Sequence, residues 1–309
     1  MFSVIVPLYN KRDTVSKAVA SVLAQSFADF ELIVVDDGST DGGPALLVGV
    51  KDPRLRVISQ QNRGVGAARN AGAAAARHDW IAFLDADDFW FEDHLEELDR
   101  VRHAFPDSGL IGTRYLIGAP ARHDGKARGA GRIERIDYIA EVATGRIVLI
   151  SSSAAVRRDV WEKTGGFGSF PNGQDSELWV RIAARWPVAV SRRVTVAYRQ
   201  WPGGISDRKR RDWIGRPPRS LAELSPAAAR VLELRVEAPE PRRKTYDAYV
   251  DRHLHWRLRA AISDRDLVTI REIRRLYERR PSPVDSALLW IGLLPGPLAL
   301  FLYRAGRFS

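Results

Sequence analysis

Residues 81–90 read I-A-F-L-D-A-D-D-F-W. An apolar, partly β-branched run ends abruptly in Asp85, Asp87 and Asp88, and two aromatic residues follow. The run reads as a buried strand. Three carboxylates at its end repel one another, and no basic residue stands beside them in sequence. Either water screens them on a loop or a cation sits among them. If this strand belongs to a parallel sheet, its carboxyl end faces the crevice where such sheets bind ligands.

Working outward, the same pattern recurs. Residues 2–7 (F-S-V-I-V-P) form a short apolar run that ends in Tyr9-Asn10. Residues 30–35 (F-E-L-I-V-V) form another, ending in Asp36-Asp37-Gly38-Ser39, and residues 55–58 a third. Between them lie helical patterns, with Val15, Ala18, Val19, Val22 and Leu23 on one face of the first, and an Ala-rich segment at 64–76. Strands alternating with helices predict an α/β fold with a doubly wound, mostly parallel sheet flanked by helices. Three of the strands end in polar residues on one rim, so topology alone predicts a site there.

Further along, the sequence predicts a helix over 91–105, a loop or irregular hairpin over 115–137 and a strand over 148–156. A short helix over 158–163, a helix over 175–185 and one or two strands over 188–200 follow. Trp179, at helical spacing from Ile182, reads as core, and Gly165-Gly166-Phe167 as a turn. The domain reading is a catalytic α/β domain over 1–206, a linker or lid over 207–241 and a basic helical C-terminal region over 242–309.

Composition bounds the chemistry. The 309 residues are 45% hydrophobic and 28% charged, which is globular. The absence of Cys excludes disulfides, thiolate ligands and a cysteine nucleophile. The net charge of +10 favours anionic partners. No recognisable nucleic-acid module accompanies the basic stretches, so no nucleic-acid partner is expected. The opening M-F-S-V-I-V-P reads as a strand and not as a targeting peptide. The six His are scattered, and His253 and His255 read as surface residues. G-V-G-A-A-R at 64–69 falls short of a dinucleotide fingerprint, because Arg69 stands where the third Gly belongs.

D-x-D at a strand end suits a hard, partly hydrated Mg²⁺ or Mn²⁺ whose shell a diphosphate completes. Asp88 reads equally as a cap for the next helix. A Tyr such as Tyr9 can stack on a base, and an Asp can accept from a base N–H.

Four motifs in order, V-I-V-P-L-Y-N, V-V-D-D-G-S-T-D, N-R-G-V-G-A-A-R-N-A-G and F-L-D-A-D-D, resemble a family 2 glycosyltransferase of the inverting GT-A type. A fifth, G-F-G-S-F-P-N-G-Q-D-S-E-L-W-V-R-I, extends the resemblance to about residue 206. It implies that Pro7, Tyr9 and Asn10 surround a nucleotide base, and that Asp37, or else Asp36, bonds a uracil-like base. It also implies that Arg69 reaches the nucleotide, that Asp85 contacts ribose or metal, and that Asp87 ligates Mn²⁺ or Mg²⁺. Asp175 matches the general base. The implied reaction moves a sugar from a nucleoside-diphosphate sugar to a hydroxyl acceptor of a cell-envelope polysaccharide or lipid carrier. Phe167 and Phe170 would line the acceptor side.

Two positions depart from the family pattern. Gln174 replaces the usual Glu before the base, and Trp201 stands where a metal- or diphosphate-assisting His is common, so that Arg199 or Arg208 would serve the diphosphate. A sugar nucleotidyltransferase is the alternative enzyme, but its Gly-rich phosphate loop is missing from Y-N-K-R-D. A non-catalytic basic binding protein is the alternative of another class. The apolar stretch at 286–303 is broken by Pro295-Gly296-Pro297 and suits an interfacial segment better than a span of about 20 residues. The expectation is a cytoplasmic protein peripheral to an anionic membrane face.

Overall fold

The computed structural model describes residues 1–118, 131–146, 149–170, 172–199 and 220–264, with 270, 271 and 273. Gln200, Trp201, Arg208, the first part of the expected lid and the apolar stretch at 286–303 lie outside the described residues. The chain divides into two compact units. One comprises residues 1–141, 146–169 and 174–200; the other comprises 142–145, 170–173 and 201–309.

The first unit is built on β1 (Phe2–Leu8), α1 (Arg12–Leu23), β2 (Phe30–Asp36), β3 (Leu55–Ser59), α2 (Val65–Ala75) and β4 (Trp80–Phe83). These strands run parallel in the order β3-β2-β1-β4. β1 and β4 are buried along their whole length, and β2 in all but its last residue. That burial explains their unbroken apolar sequences, since a parallel sheet is covered on both faces. α1 buries Val15, Ala18, Val19 and Val22 on one stripe. α2 lies unusually close to the sheet at Gly72, where a Cβ would stand 2.3 Å from Ile5 Cγ2. The small residues of this helix therefore set how near its neighbours come to the strand ends.

The other half of the sheet is mixed. It contains β5 (Phe89–Trp90), β6 (Leu110–Ile117), β7 (Ile133–Ile136), β8 (Ala154–Arg157) and β9 (Val188–Tyr198). The sheet continues β4-β8-β6-β9-β5, with β7 on β9. Only β6 and β9 pair in parallel here. The helices α3 (His94–Ala104), α4 (Tyr138–Thr144), α5 (Arg158–Thr164) and α6 (Gln174–Ala183) complete the chain order to this point.

Two expectations for this half of the sheet need correction. β6 continues to Ile117, where a loop was expected from 115, because its outer half is exposed and carries Arg114 and Tyr115 in place of an apolar run. Residues 151–153 are not strand: Ser151–Ser153 form a buried 3₁₀ turn before β8, with Ser153 Oγ donating to the Ile150 carbonyl at 3.1 Å.

In the second unit, α7 (Leu221–Leu224) and α8 (Pro226–Glu237) form inside the stretch read as linker or lid. Ser220 and Ser225 supply the starts. Their hydroxyls accept from Glu223 N and Ala228 N, and Pro226 occupies the first helical position. α9 (Glu240–Asp264) follows and buries Tyr246, Tyr249, Leu254 and Leu258. His253, expected at the surface, is half-buried. It stacks on Tyr249 at 4.5 Å, with Nδ1 3.0 Å from Ser225 Oγ.

Candidate active site

The residues predicted for nucleotide, metal and base, Pro7, Tyr9, Asn10, Asp36, Asp37, Arg69, Asp85, Asp87 and Asp175, belong to the first unit. Pro7 lies one residue before the end of β1, opposite Val35, and Tyr9 stands 47% exposed just beyond the strand. An exposed ring of that size beside a polar rim is available for stacking. Asn10 adopts φ +50°, a conformation Asn tolerates well. Its Oδ1 accepts from Thr40 N at 2.8 Å, and its own N–H donates to Ser39 Oγ at 3.2 Å. The loops after β1 and β2 are thereby laced together. Asp36 turns back to accept from Ser39 N at 2.9 Å.

Asp37 is 2% exposed and organises the loop ahead of α2. Its Oδ1 accepts from Gln60 Nε2 at 2.7 Å and from Arg63 N at 2.9 Å, and its Oδ2 accepts from Gly64 N at 2.8 Å. Gly64 sits at φ +90°, outside the range of most side chains, which lets the chain turn into the helix.

Arg69 extends from α2 and is nearly buried. Its Nη2 donates to Asp85 Oδ1 at 2.5 Å, and its guanidinium lies 5.0 Å from the centre of the Phe167 ring. The direct partner of Arg69 is therefore a carboxylate of the D-A-D motif. Phe167 does not line an acceptor surface as expected: it is 4% exposed, packed among Phe83, Trp161 and Trp179. Trp179 is core, as expected.

After β4 the chain turns tightly, with Asp88 N donating to the Asp85 carbonyl at 2.9 Å. Asp87 pairs with Lys11 Nζ. Asp88 is buried and caps no helix. Its carboxylate accepts from Ser152 Oγ and from Arg199 N, tying the motif to the serine turn and to the end of β9. Ser152 Oγ in turn accepts from Asp85 N at 3.1 Å. Burial, then the charges of Asp85 and Asp87, push the Asp88 carboxyl well above the usual range.

Asp175 opens α6, where its Oδ1 accepts from Ser176 N at 2.8 Å. Burial raises its pKa, and the positive charge of Arg69 opposes that rise. A carboxylate more basic than usual, set beside a fixed cation, is equipped to take a proton. Gln174 lies against the start of α2, where a Cβ on Gly66 would meet its side chain at 3.2 Å. Tyr115 and Tyr198 stand edge to face at 5.8 Å, and burial with nearby carboxylates pushes Tyr198 up to about 12.

The donor set fits a hard divalent ion held in part by substrate. Asp85 and Asp87 are 31% and 22% exposed and offer only oxygen. Asp88 is occupied by Ser152 and Arg199 N. Among the described residues no three acidic or His side chains form a closed metal cage. Two carboxylates with phosphate and water completing the shell is the usual Mg²⁺ arrangement.

Sequence reasoning passed over Lys11, Asn70 and Ser152. Lys11 directly follows the Tyr9-Asn10 pair, and Asn70 directly follows Arg69, so adjacency was the available signal. Nothing in S-S-S marks Ser152 as a partner of Asp85 and Asp88.

A parallel half-sheet whose strand ends carry acidic residues along one rim is an α/β fold that solved structures share. The Staphylococcus aureus TarS fragment 1–349 in complex with UDP-GlcNAc aligns over 100% of this chain and 93% of its own, with TM-score 0.65 at 16% identity. The mannosyltransferase PcManGT from Pyrobaculum calidifontis, in complex with GDP-Man and Mn²⁺, covers 99% and 87%, with TM-score 0.55 at 18% identity.

The chain belongs to glycosyl transferase family 2, whose model matches residues 3–165. The succinoglycan biosynthesis protein ExoO of Rhizobium meliloti is 48% identical over 95 residues, 30% of this chain and 27% of that protein. The putative teichuronic acid biosynthesis glycosyltransferase TuaG of Bacillus subtilis is 43% identical over 100 residues, 31% of this chain and 40% of its own length. The match thus spans well under half of either relative. No helix among the described residues is long and apolar enough to cross a membrane.

Proposed function

We propose that this protein transfers a sugar from a nucleoside-diphosphate sugar to a hydroxyl acceptor, with inversion at the anomeric carbon. The observation that carries the reading is the position of Arg69, which bonds Asp85 of the D-A-D motif and counters the burial of Asp175. On this reading Arg69 couples the carboxylate on the diphosphate side to the general base.

Tyr9 would stack on the base, with Pro7 and Asn10 beside it. Asp36 and Asp37 would border the base's hydrogen-bonding edge, and a uracil N–H is the favoured donor to Asp37. Asp85 and Asp87 would hold Mn²⁺ or Mg²⁺, which when bound neutralises charge on the departing diphosphate. Asp175 takes the acceptor hydroxyl's proton as that oxygen forms its bond to the anomeric carbon. The bond from that carbon to the phosphate oxygen breaks, and its electron pair leaves with the nucleoside diphosphate.

The relatives named for succinoglycan and teichuronic acid synthesis support a polysaccharide or lipid-carried acceptor. The basic C-terminal region would then lie against an anionic membrane face on the cytoplasmic side. A thermal-shift screen of nucleoside diphosphates and nucleotide sugars, with and without Mn²⁺, tests the donor reading. A concentration-dependent rise in midpoint for one base, larger with Mn²⁺, is expected. No rise for any of them would overturn it.

A further inference from the structure

The two exposed carboxylates of the D-A-D motif carry different counter-ions. Asp85 is held by Arg69, whose guanidinium is 7% exposed and packed over Phe167. That cation is fixed by its surroundings. Asp87 is held by Lys11, and both members of that pair lie at the wet rim, 19% and 22% exposed. Asp88 is held by two neutral donors, Ser152 Oγ and Arg199 N. The motif is thus charge-balanced from within, by one buried cation and one at the surface.

The backbone of Lys11 is fixed. Its carbonyl accepts from Thr14 N at 3.1 Å and from Val15 N at 2.9 Å, which anchors the first turn of α1. Only the side chain crosses to Asp87. A Lys stem is long and flexible, and its ammonium is a compact, rotatable point charge, whereas Arg69 is locked as a planar fork. Of the two pairs, Lys11–Asp87 is the one built to exchange.

We propose that Lys11 is a displaceable counter-ion: it neutralises Asp87 until a divalent cation takes that carboxylate, and its ammonium then turns to the donor's diphosphate. The inference rests on the reading of Asp87 as a metal ligand. A divalent ion and an ammonium cannot both sit against one carboxylate without repulsion, so metal binding must release Lys11. A released ammonium beside an arriving diphosphate has an anionic partner ready, and Lys is an effective phosphate binder as a point charge. The two roles give opposite signs. Lys11 opposes the metal when alone and favours the phosphate, a combination that a merely structural lysine does not produce.

The test is calorimetry on the full chain with Mn²⁺ alone, and separately with uridine diphosphate at saturating Mn²⁺. Wild type, Lys11→Met, Lys11→Arg and Asp87→Ala are compared. Lys11→Met should bind Mn²⁺ roughly tenfold more tightly and uridine diphosphate several-fold more weakly, the scale of one close charge contact at a partly wet site. Lys11→Arg, which keeps the charge and controls for folding, should stay near wild type. Unchanged or weaker Mn²⁺ binding in Lys11→Met overturns the proposal if Asp87→Ala has lost Mn²⁺. So does unchanged uridine diphosphate binding. Equal Mn²⁺ binding by Asp87→Ala and wild type instead overturns the metal reading itself, and the Lys11 proposal with it.

Discussion

Asn70 grips the backbone of Phe167 at both polar groups. Its Nδ2 donates to the Phe167 carbonyl at 2.9 Å, and its Oδ1 accepts from Phe167 N at 2.9 Å. A side-chain amide here completes the pairing that a neighbouring strand would give. The turn is held from its other side by Arg181, which donates to the carbonyls of Thr164 and Gly166 and is oriented by buried Glu177. Gly166 must be Gly: it sits at φ +71°, and a Cβ would stand 2.6 Å from Asn70 Oδ1 and 2.8 Å from Trp161. The clamp fixes the ring against which Arg69 rests.

Asn70→Ala leaves both Phe167 groups without their partner and should cost about 1–3 kcal/mol. Gly166→Ala should cost at least about 2 kcal/mol through backbone strain and overlap. Urea unfolding midpoints at neutral pH check both. A Gly166→Ala protein as stable as wild type would show that the turn is not held as described.

Asp88 and Asp87 are adjacent, yet they should respond in opposite ways to removal. Asp88→Ala removes the buried carboxylate that accepts from the Ser152 hydroxyl and from Arg199 N, each hydrogen bond to a charged group worth about 1.5–3 kcal/mol. Asp87→Ala removes one partner of a rim ion pair, which contributes about 0–1 kcal/mol. Thermal unfolding of the two variants should therefore show a clear drop for Asp88→Ala and almost none for Asp87→Ala. Equal drops would contradict the division of labour within the motif.

The parallel half of the fold was legible because burial on both faces forces unbroken apolar runs, and β1, β2 and β4 have them. The rim was legible for the same reason, since polar residues such as Asn10, Asp36 and Asp85 stand out where those runs stop. β6 was missed because half of it is exposed and its pattern breaks at Arg114. The serine turn at 151–153 was hidden inside an apolar stretch, where its hydroxyls looked incidental. Partnerships across long separations were not legible at all. Lys11 meets Asp87, Asp88 meets Arg199 and Asn70 meets Phe167 only after the sheet has brought them together. Phe167 was assigned to a surface because its turn position was visible and its aromatic neighbours were not.

His94 makes the protein's stability sensitive to acid. The side chain is fully buried at the start of α3, with its ring 4.2 Å from that of Trp90. Thr195 donates its hydroxyl to Thr113 at 2.7 Å, so His94 Nδ1 serves as the donor to Thr195 Oγ1 at 2.7 Å. Nε2 is then a bare acceptor with no partner among the described residues. Protonating it would bury a charge, and burial holds the pKa down at about 3. The folded value lies below the unfolded 6.5, so this contribution is complete above pH 6.5 and is lost as pH falls toward 3. The loss should approach about 1.4 kcal/mol per pH unit within that window. Urea unfolding at pH 7.5, 6.0 and 5.0 should show a shallower decline for His94→Gln than for wild type. Parallel declines would remove His94 as the cause.

Asp175 should govern the acid side of the rate profile. Burial lifts its carboxyl above the usual range while Arg69 restrains the rise. A general base works only when deprotonated, so kcat/KM should fall as pH drops through that raised value. The fall should begin at a higher pH than an exposed aspartate would give. Asp175→Asn keeps the size of the side chain and removes the base. Transfer should drop by about 10²–10⁴-fold, the usual contribution of a positioned base, and the residual rate should lose the acid limb. Nucleotide affinity, which the proposed function assigns to Tyr9, Asn10 and the D-A-D rim, should stay within about twofold of wild type by calorimetry. A mutant that keeps the wild-type acid limb would place the titrating base elsewhere. A mutant that loses nucleotide affinity along with rate would make Asp175 a structural support for the rim.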